Sequence, residues 1–339
     1  MKKVCISMYE KNEKNAGPKA KVDVEKILLE KYLFEIKNMN VIIGGKLNGI
    51  KRILTALYYS YRYKDYDIVI IQTPIPLKNL ERRIFKKIKN KVLFIHDIDG
   101  IRFQDNKVLE NELIYYKQSK YIISHNDVMT KFLINNGIEN KKIITLQAFD
   151  YLVNSDEILN NKIVRENVTV IYPGNLNSKK CPFLYQIREN KMLYTINAYG
   201  KGIDKKIENK KIKNCGSFEP GDLLKLNGNL GLVWDGNFDE SDINEAYKNY
   251  TKYNCPHKFS CCLALGLPVI VWEKSAIANF VRKYNVGYTI RNLYDINDIN
   301  LLEYGEKQKN AMEIGKKIRM GYYTQQVMNE IMSRINKKD

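Results

Sequence analysis

A chain of 339 residues that is 44% apolar can bury full-sized cores and is long enough for about two domains. No window approaches the roughly 18 uninterrupted apolar residues of a membrane span, and the apolar run behind Met1-Lys2-Lys3 is too short for a signal peptide, so a cytoplasmic protein is expected. Six cysteines are too few for a disulfide scaffold, and the net charge of +18 favours anionic partners. No RNP, KH or helix-turn-helix pattern accompanies that charge; it reads first as solvated surface, and nucleic acid is not expected as a partner.

Short aliphatic runs alternate with helical patterns through the first half. KKVCISM (2–8) reads as a strand and VDVEKILLEKYLF (22–34) as a helix, with Val24, Ile27, Leu28 and Tyr32 at helical spacing. Strand 40–45, helix 49–62, strand 66–74 and helix 80–90 follow. Strand 91–97, helix 108–119, strand 120–126, helix 127–137 and strand 141–147 complete the series. This rhythm implies a parallel sheet with helices on both faces. The polar stretch 154–167 reads as a linker. The rhythm restarts at VTVIYPGN (168–175), with a short helix near 180–189 and strands at 192–200, 212–218, 230–236 and 285–290. A helical tail over roughly 304–337 ends the chain.

The stretch NCPHKFSCCLALGLPVIV (254–271) crowds three cysteines and a histidine together. Zinc ligands come as spaced pairs, whereas Cys261 and Cys262 are adjacent and point about 100° apart on a helix. Small hydrophobes in a packed helix are the better reading, ahead of a metal site or a reactive thiol. Pro256 fits the first turn of that helix, with Asn254 or Cys255 as its cap, and Gly266 ends it. The helix start would present N–H groups, the positive end of its dipole, His257 and Lys258. Those features suit a diphosphate, and a plain strand-connecting helix is the alternative.

Other loops carry candidates. Gly17 and Pro18 shape a turn after the first strand, from which Lys19 can reach a ligand. In YPGNLNSKK (172–180), Gly174 allows close backbone approach, Asn175 offers hydrogen bonds, and Lys179 or Lys180 can neutralise phosphate. Tyr199 and Phe218, at two strand ends, can stack on a base or belong to an aromatic core. Asp97-Ile98-Asp99 is a DxD, the metal signature of GT-A transferases, but so short a pattern recurs by chance, as in Asp65-Tyr66-Asp67. The basic run 82–91 reads as a solvated helix face, with an acidic acceptor, another subunit or a membrane surface as alternatives.

The pattern Pro256-His257-Lys258, then Ala264, Gly266 and Pro268-Val-Ile-Val resembles the nucleotide-sugar motif in the C-terminal domain of GT-B glycosyltransferases. With NAGPKAKVDV (15–24), IIQTP (70–74), VLFIHD (92–97), YPGNLNSKK and GLVWDG (231–236), nearly the whole chain resembles one bacterial family. That family contains the glucosyltransferase extending O-linked GlcNAc on serine-rich repeat adhesins and related galactofuranosyltransferases. The resemblance implies two doubly wound Rossmann-like domains facing a cleft: an acceptor domain over 1–160, a UDP-sugar domain over 161–320, and a helical tail over 304–339 packing back on the first. It further implies a hexosyltransferase moving glucose from a UDP-sugar to a glycoprotein or glycan acceptor, without cofactor or divalent metal. Helix start and basic residues then take over a metal's electrostatic task, and His96 and Asp97 are the candidate general bases. Where the family often carries arginine, this chain has Lys179 and Lys180, which lack arginine's bidentate fork. A homo-oligomer, dimer or tetramer, is expected. Galactofuranosyl transfer and a non-catalytic glycoprotein-binding subunit are the alternatives.

Overall fold

The computed structural model describes residues 1–9, 16–39, 46–75, 83–153, 168–207, 209–239 and 246–336. The chain forms two compact units, one running to Gln147 and resuming at Tyr323, the other spanning Ala148–Tyr322. The expected boundary near 160 and the linker 154–167 that holds it lie outside the described residues.

In unit 1, strands β1 (Lys3–Ser7), β2 (Glu35–Asn38), β3 (Ile68–Thr73), β4 (Lys91–Ile95), β5 (Tyr121–Ser124) and β6 (Ile143–Thr145) form a parallel sheet ordered β2-β1-β3-β4-β5-β6. Every residue of β3 and β4 is buried, as continuous aliphatic runs between two helical layers should be. Helices α1 (Ala16–Tyr32) and α2 (Lys46–Arg62) link the first three strands. The expected strand at 40–45 lies outside the described residues; β2, the half-buried Glu35–Asn38, was not expected, being an edge strand whose polar side chains hide it from a search for apolar runs. Of the expected helix 80–90, residues 83–85 are helical and a turn follows, with Ile84, Phe85 and Ile88 still delivered to the core. The helix Asp99–Arg102 is additional. Its first N–H groups, of Asp99 and Gly100, donate to the buried Glu112 carboxylate at 3.1 and 2.9 Å. The expected helical tail consists of two helices, Tyr304–Arg319 and Tyr322–Asn336, separated at Gly321 with φ +74°. The second joins unit 1, where Tyr32 donates to Gln325 O and Asn329 Oδ1 and Arg334 donates to Lys141 O.

In unit 2, β7 (Thr169–Pro173), β8 (Thr195–Tyr199), β9 (Ile212–Asn214), β10 (Leu230–Val233), β11 (Val269–Trp272) and β12 (Gly287–Ile290) form a parallel sheet ordered β12-β11-β10-β7-β8-β9. Counted within the unit this is the doubly wound order of dinucleotide-binding sheets, and it reverses between β7 and β10. Ligands of such sheets bind beyond the carboxyl ends of the strands at that reversal. Helix His257–Ala264 is held there by close packing. A Cβ on Gly231 of β10 would lie 2.4 Å from Cys262 Cβ, and one on Gly315 would lie 2.1 Å from Leu263 O. Arg319 donates to Ala264 O at 2.6 Å, placing a cation at the helix's negative end. The cysteines thus serve as small packing residues: Cys255, Cys261 and Cys262 are all buried.

No helix among the described residues is long and apolar enough to cross a membrane. One buried titratable group sits at the carboxyl end of β5. His125 donates from Nε2 to Ile95 O at 3.0 Å, since a carbonyl can only accept. Burial pushes its pKa down from 6.5 to about 4, against the opposing pull of Asp97. An unfolded chain binds the proton near pH 6.5 and the folded chain only near 4, so stability is full above 6.5 and falls as pH drops through that window. Urea unfolding at pH 7 and pH 5 should show wild type losing about 2 kcal/mol more than His125→Gln. Equal losses would mean that another group sets the acid limb.

Candidate functional site

The loops after β7, β8 and β9 continue the sheet past its strands. Gly174 N donates to Tyr199 O at 2.9 Å, Leu176 N to Lys201 O at 2.8 Å, and Gly200 N to Gly216 O at 2.8 Å. Gly200 has φ +158°, and a Cβ there would fall 1.7 Å from Gly174 O, so the two loops meet backbone to backbone. Asn175 turns its side chain back on the chain, accepting from Asn177 N at 2.9 Å. Lys179 is exposed.

Across the sheet's reversal, β10 runs into Trp234-Asp235-Gly236, and the helix start brings Lys258 between the two loops. The Lys258 ammonium donates to Asp235 Oδ1 at 2.7 Å, Trp234 O at 2.8 Å and Tyr172 OH at 3.0 Å. The Tyr172 hydroxyl in turn donates to Asp235 Oδ1 at 3.3 Å, and its ring centre lies 4.4 Å from the ammonium. The side chains of Lys258 and Asp235 are 7% and 8% exposed. Burial lowers the Lys258 pKa, and Asp235 opposes that pull. For Asp235 burial acts upward, but Lys258 and then Lys180 outweigh it and hold the carboxyl below its ordinary value. The 2.7 Å contact of Lys258 Nζ with Asp235 Oδ1 makes this a buried ion pair. A Cβ on Gly174 would stand 3.7 Å from Lys258 Nζ, so any larger residue would rest on the ammonium.

Pro256 differs from its expected position. It is the cap residue, in extended conformation, and the helix begins at His257; no side chain accepts a hydrogen bond at this cap. His257 stacks on Tyr151 at 4.8 Å and 23° and contacts Asp150 O through Nε2 at 3.2 Å, which fixes its ring to the segment leading into the unit. Beside Asp235, the walls of Trp234, Lys248, Pro256 and Trp272 leave a recess of about 10 Å³, room for roughly one water. Lys248 is buried there, its ammonium 4.4 Å from the Trp234 ring and 5.1 Å from that of Trp272. Tyr199 and Phe218 meet edge to face at 6.3 Å, and the Tyr199 hydroxyl accepts from Asn227 N at 2.9 Å.

Gly174, Lys258 and the Pro256 cap thus converge in unit 2, with Asn175 in the loop after β7, Tyr199 at the end of β8 and Lys179 outward. Sequence reading missed Asp235 and Tyr172 and left Lys179 and Lys180 as alternatives. An acidic residue directly after a buried strand was the available signal for Asp235. For Lys180, adjacency to Lys179 left the choice open until the fold showed which lysine's charge the pair feels.

Unit 1 has its own polar cluster at the ends of β1, β3 and β4. Gln72 donates from Nε2 to Ser7 Oγ at 2.7 Å and to Lys21 O at 3.1 Å. That carbonyl can only accept, which orients the amide and turns Oε1 to His96 Nε2 at 2.7 Å. His96 Nε2 therefore carries a proton, and Nδ1 is the basic nitrogen of the neutral ring. Lys21 donates to Met8 O at 3.1 Å and Pro74 O at 3.2 Å; burial lowers its pKa to about 8, with Asp97, Asp99 and Glu25 opposing. Asp97 pairs with Arg102 at 2.8 Å. Gly17 falls in the first turn of α1, and Lys19 pairs with Asp23 at 2.5 Å. Among the described residues no three His, Cys, Asp or Glu side chains are grouped to hold a metal ion.

Two family models match in succession, the glucosyltransferase 3-like N-terminal domain over residues 2–148 and the C-terminal domain over 170–331. The chain is 28% identical over 331 residues to the β-1,6-galactofuranosyltransferase WbbI of Escherichia coli K12, covering 95% of this chain and 96% of that one. It is 24% identical over 277 residues to glucosyltransferase 3 of Streptococcus parasanguinis, covering 78% of each. Among solved structures, Anabaena HepE in complex with UDP-glucose matches with a TM-score of 0.61 at 12% identity, over 97% of this chain and 99% of that one. Sucrose-phosphate synthase of Thermosynechococcus elongatus matches with a TM-score of 0.64 at 9% identity over both whole chains. These structural likenesses carry the fold, and the ordered domain matches carry the lineage: the chain belongs to the glucosyltransferase 3-like family of GT-B glycosyltransferases.

Proposed function

We propose that this chain transfers a hexose from a UDP-sugar to a carbohydrate hydroxyl. The observation that carries the proposal is the buried Lys258–Asp235 pair, beside Gly174, at the reversal of the unit 2 sheet. A leaving diphosphate develops negative charge as the glycosidic bond breaks. Lys258, the uncapped helix start and Lys180 supply fixed positive charge for that change, in a site where water screens little. Asp235 and Tyr172 hold the ammonium in place before the ligand arrives, so little reorganisation is needed. Backbone approach at Gly174 and Asn175 and the Tyr199–Phe218 aromatic pair are assigned to the nucleotide, with Pro256 and His257 fixing the helix start.

Acceptor activation is assigned to His96, whose Nδ1 is the basic nitrogen once Gln72 has fixed the ring. Asp97 is the alternative base, and its carboxylate is paired with Arg102 at 2.8 Å. The same ion pair argues for chemistry without a divalent metal at Asp97-Ile98-Asp99. Glucose is the leading donor, because both domain matches are to glucosyltransferase 3-like models; O-linked GlcNAc on a serine-rich adhesin is the leading acceptor. Galactofuranose in cell-surface polysaccharide is the second reading, favoured by a relative whose match spans 95% of the chain.

Thermal-shift titration with UDP, GDP, ADP and CMP should give the largest rise with UDP, and Gly174→Val should abolish it while leaving the unliganded melting temperature nearly unchanged. Equal rises with every nucleoside diphosphate would reduce the site to a generic anion pocket. Turnover should survive EDTA; loss on chelation and rescue by manganese or magnesium would move the chemistry to Asp97 and Asp99.

Lys258→Met alone strands the Asp235 carboxylate and should cost about 3–5 kcal/mol of stability. The pair Lys258→Met with Asp235→Asn removes that penalty. Its fold should recover while turnover stays about 10- to 150-fold down, the worth of one charge-assisted contact in the transition state. Recovery of turnover along with the fold would make Lys258 a purely structural residue.

A further inference from the structure

Helix α2 is apolar on two faces. One face sends Ala56 and Tyr63 into the core of unit 1. The other leaves Ile50, Leu54, Leu57, Tyr58 and Tyr61 exposed, Leu54 at 60% and Tyr61 at 75%. At 100° per residue these five fall within about one third of the helix circumference, so they form a single stripe. Scattered exposed apolar residues are ordinary, whereas a continuous stripe of five large ones on one helix is a contact surface.

Cations border the stripe on both sides. Arg62, one step beyond Tyr61, is exposed, as is Lys51, which lies on the same flank. Ser60, one step before Tyr61, points the other way and donates from Oγ to Ile84 O at 2.8 Å. That bond fixes the segment 83–89 along the opposite flank, with Ile84, Phe85 and Ile88 buried and Arg83, Lys86, Lys87 and Lys89 exposed. The 17 residues of α2 contain no acidic side chain. The basic run that the sequence singles out therefore completes this face, and the donor site uses none of it.

We propose that α2 and the 83–89 segment seat unit 1 on an anionic lipid surface, the stripe entering the headgroup boundary and the flanking cations pairing with lipid phosphates. Charge decides among the occupants. A second copy of the chain in a twofold contact would set this face against itself, Lys and Arg against Lys and Arg. An anionic bilayer complements the cations and accepts a convex apolar ridge without needing a matching groove, with tyrosines at the depth they favour.

Flotation of the full chain in 0.1 M salt with vesicles of phosphatidylcholine alone, and of phosphatidylcholine with phosphatidylglycerol at 7:3, tests this. Binding should be strong to the anionic vesicles and absent from the neutral ones. Lys86→Glu with Lys87→Glu should weaken it at least tenfold, and Leu54→Gln, Leu57→Gln and Tyr61→Gln together should do the same. All these variants should keep the wild-type circular dichroism and the wild-type UDP response. No binding to anionic vesicles, equal binding to both kinds, or unchanged binding by the variants would overturn the proposal. So would sedimentation showing that the Gln variant dissociates a dimer, which would assign the stripe to a second copy.

Discussion

An ammonium has three protons to give, and in unit 2 the Lys258 ammonium has three protein acceptors. Much of the unit's architecture serves to put it there. Lys258 lies in the first turn of a helix that is clamped between Gly231 of β10 and Gly315 of the next long helix, and whose far end is met by Arg319. Its acceptors come from the carboxyl ends of β7 and β10, the two strands between which the sheet order reverses. A buried charge without a partner would cost several kcal/mol, so the site carries its own counter-charge. Asp235 is thus required by electrostatics before any ligand is considered, and an anion entering beside Gly174 meets an ammonium that is already positioned.

Unit 1 solves a similar problem with neutral groups. Gln72 lies at the carboxyl end of a strand buried at every position, where a bare amide would be costly. Its donors are taken by Ser7 Oγ and Lys21 O and its acceptor by His96. The backbone of α1, through the Lys21 carbonyl, thereby decides which imidazole nitrogen of His96 carries the proton. His125, one strand further along, is held neutral by burial alone. Two histidines on neighbouring strands of one sheet are therefore set differently: one by a polar relay, the other by exclusion of water.

How much of this was legible in the sequence depended on the kind of interaction. Strands β1, β3, β4 and β10 announced themselves because each is a buried, mainly aliphatic run. β2 did not, since Glu35–Asn38 is an edge strand with polar side chains. The helix start at Pro256–Lys258 was readable from local chemistry, to within one position of its cap. The cysteines read as packing residues from spacing alone, and Gly231 supplies the reason, since only a small side chain fits against β10 there. Asp235, Tyr172 and Gln72 were hidden because their roles arise between strands far apart in the chain. Lys258 and Tyr172 are 86 residues apart, and Gln72 and Ser7 are 65 apart.

The formal charge of +18 invites a link to an anionic donor, but position separates two populations of cations. Those at the unit 2 centre are compensated inside the protein. Lys258 is matched by Asp235, and Lys248 is held between the faces of Trp234 and Trp272 while donating to the Asn237 carbonyl. Such charges act over short distances on one ligand and add little to the outer field. Those along α2 and the 83–89 segment are exposed, and the helix itself contains no carboxylate to offset them. Exposed cations of that kind are screened within about 10 Å at moderate salt, so they matter only to something that comes into contact with them. On the two proposals made above, turnover depends on the compensated lysines and attachment to a lipid surface on the exposed ones.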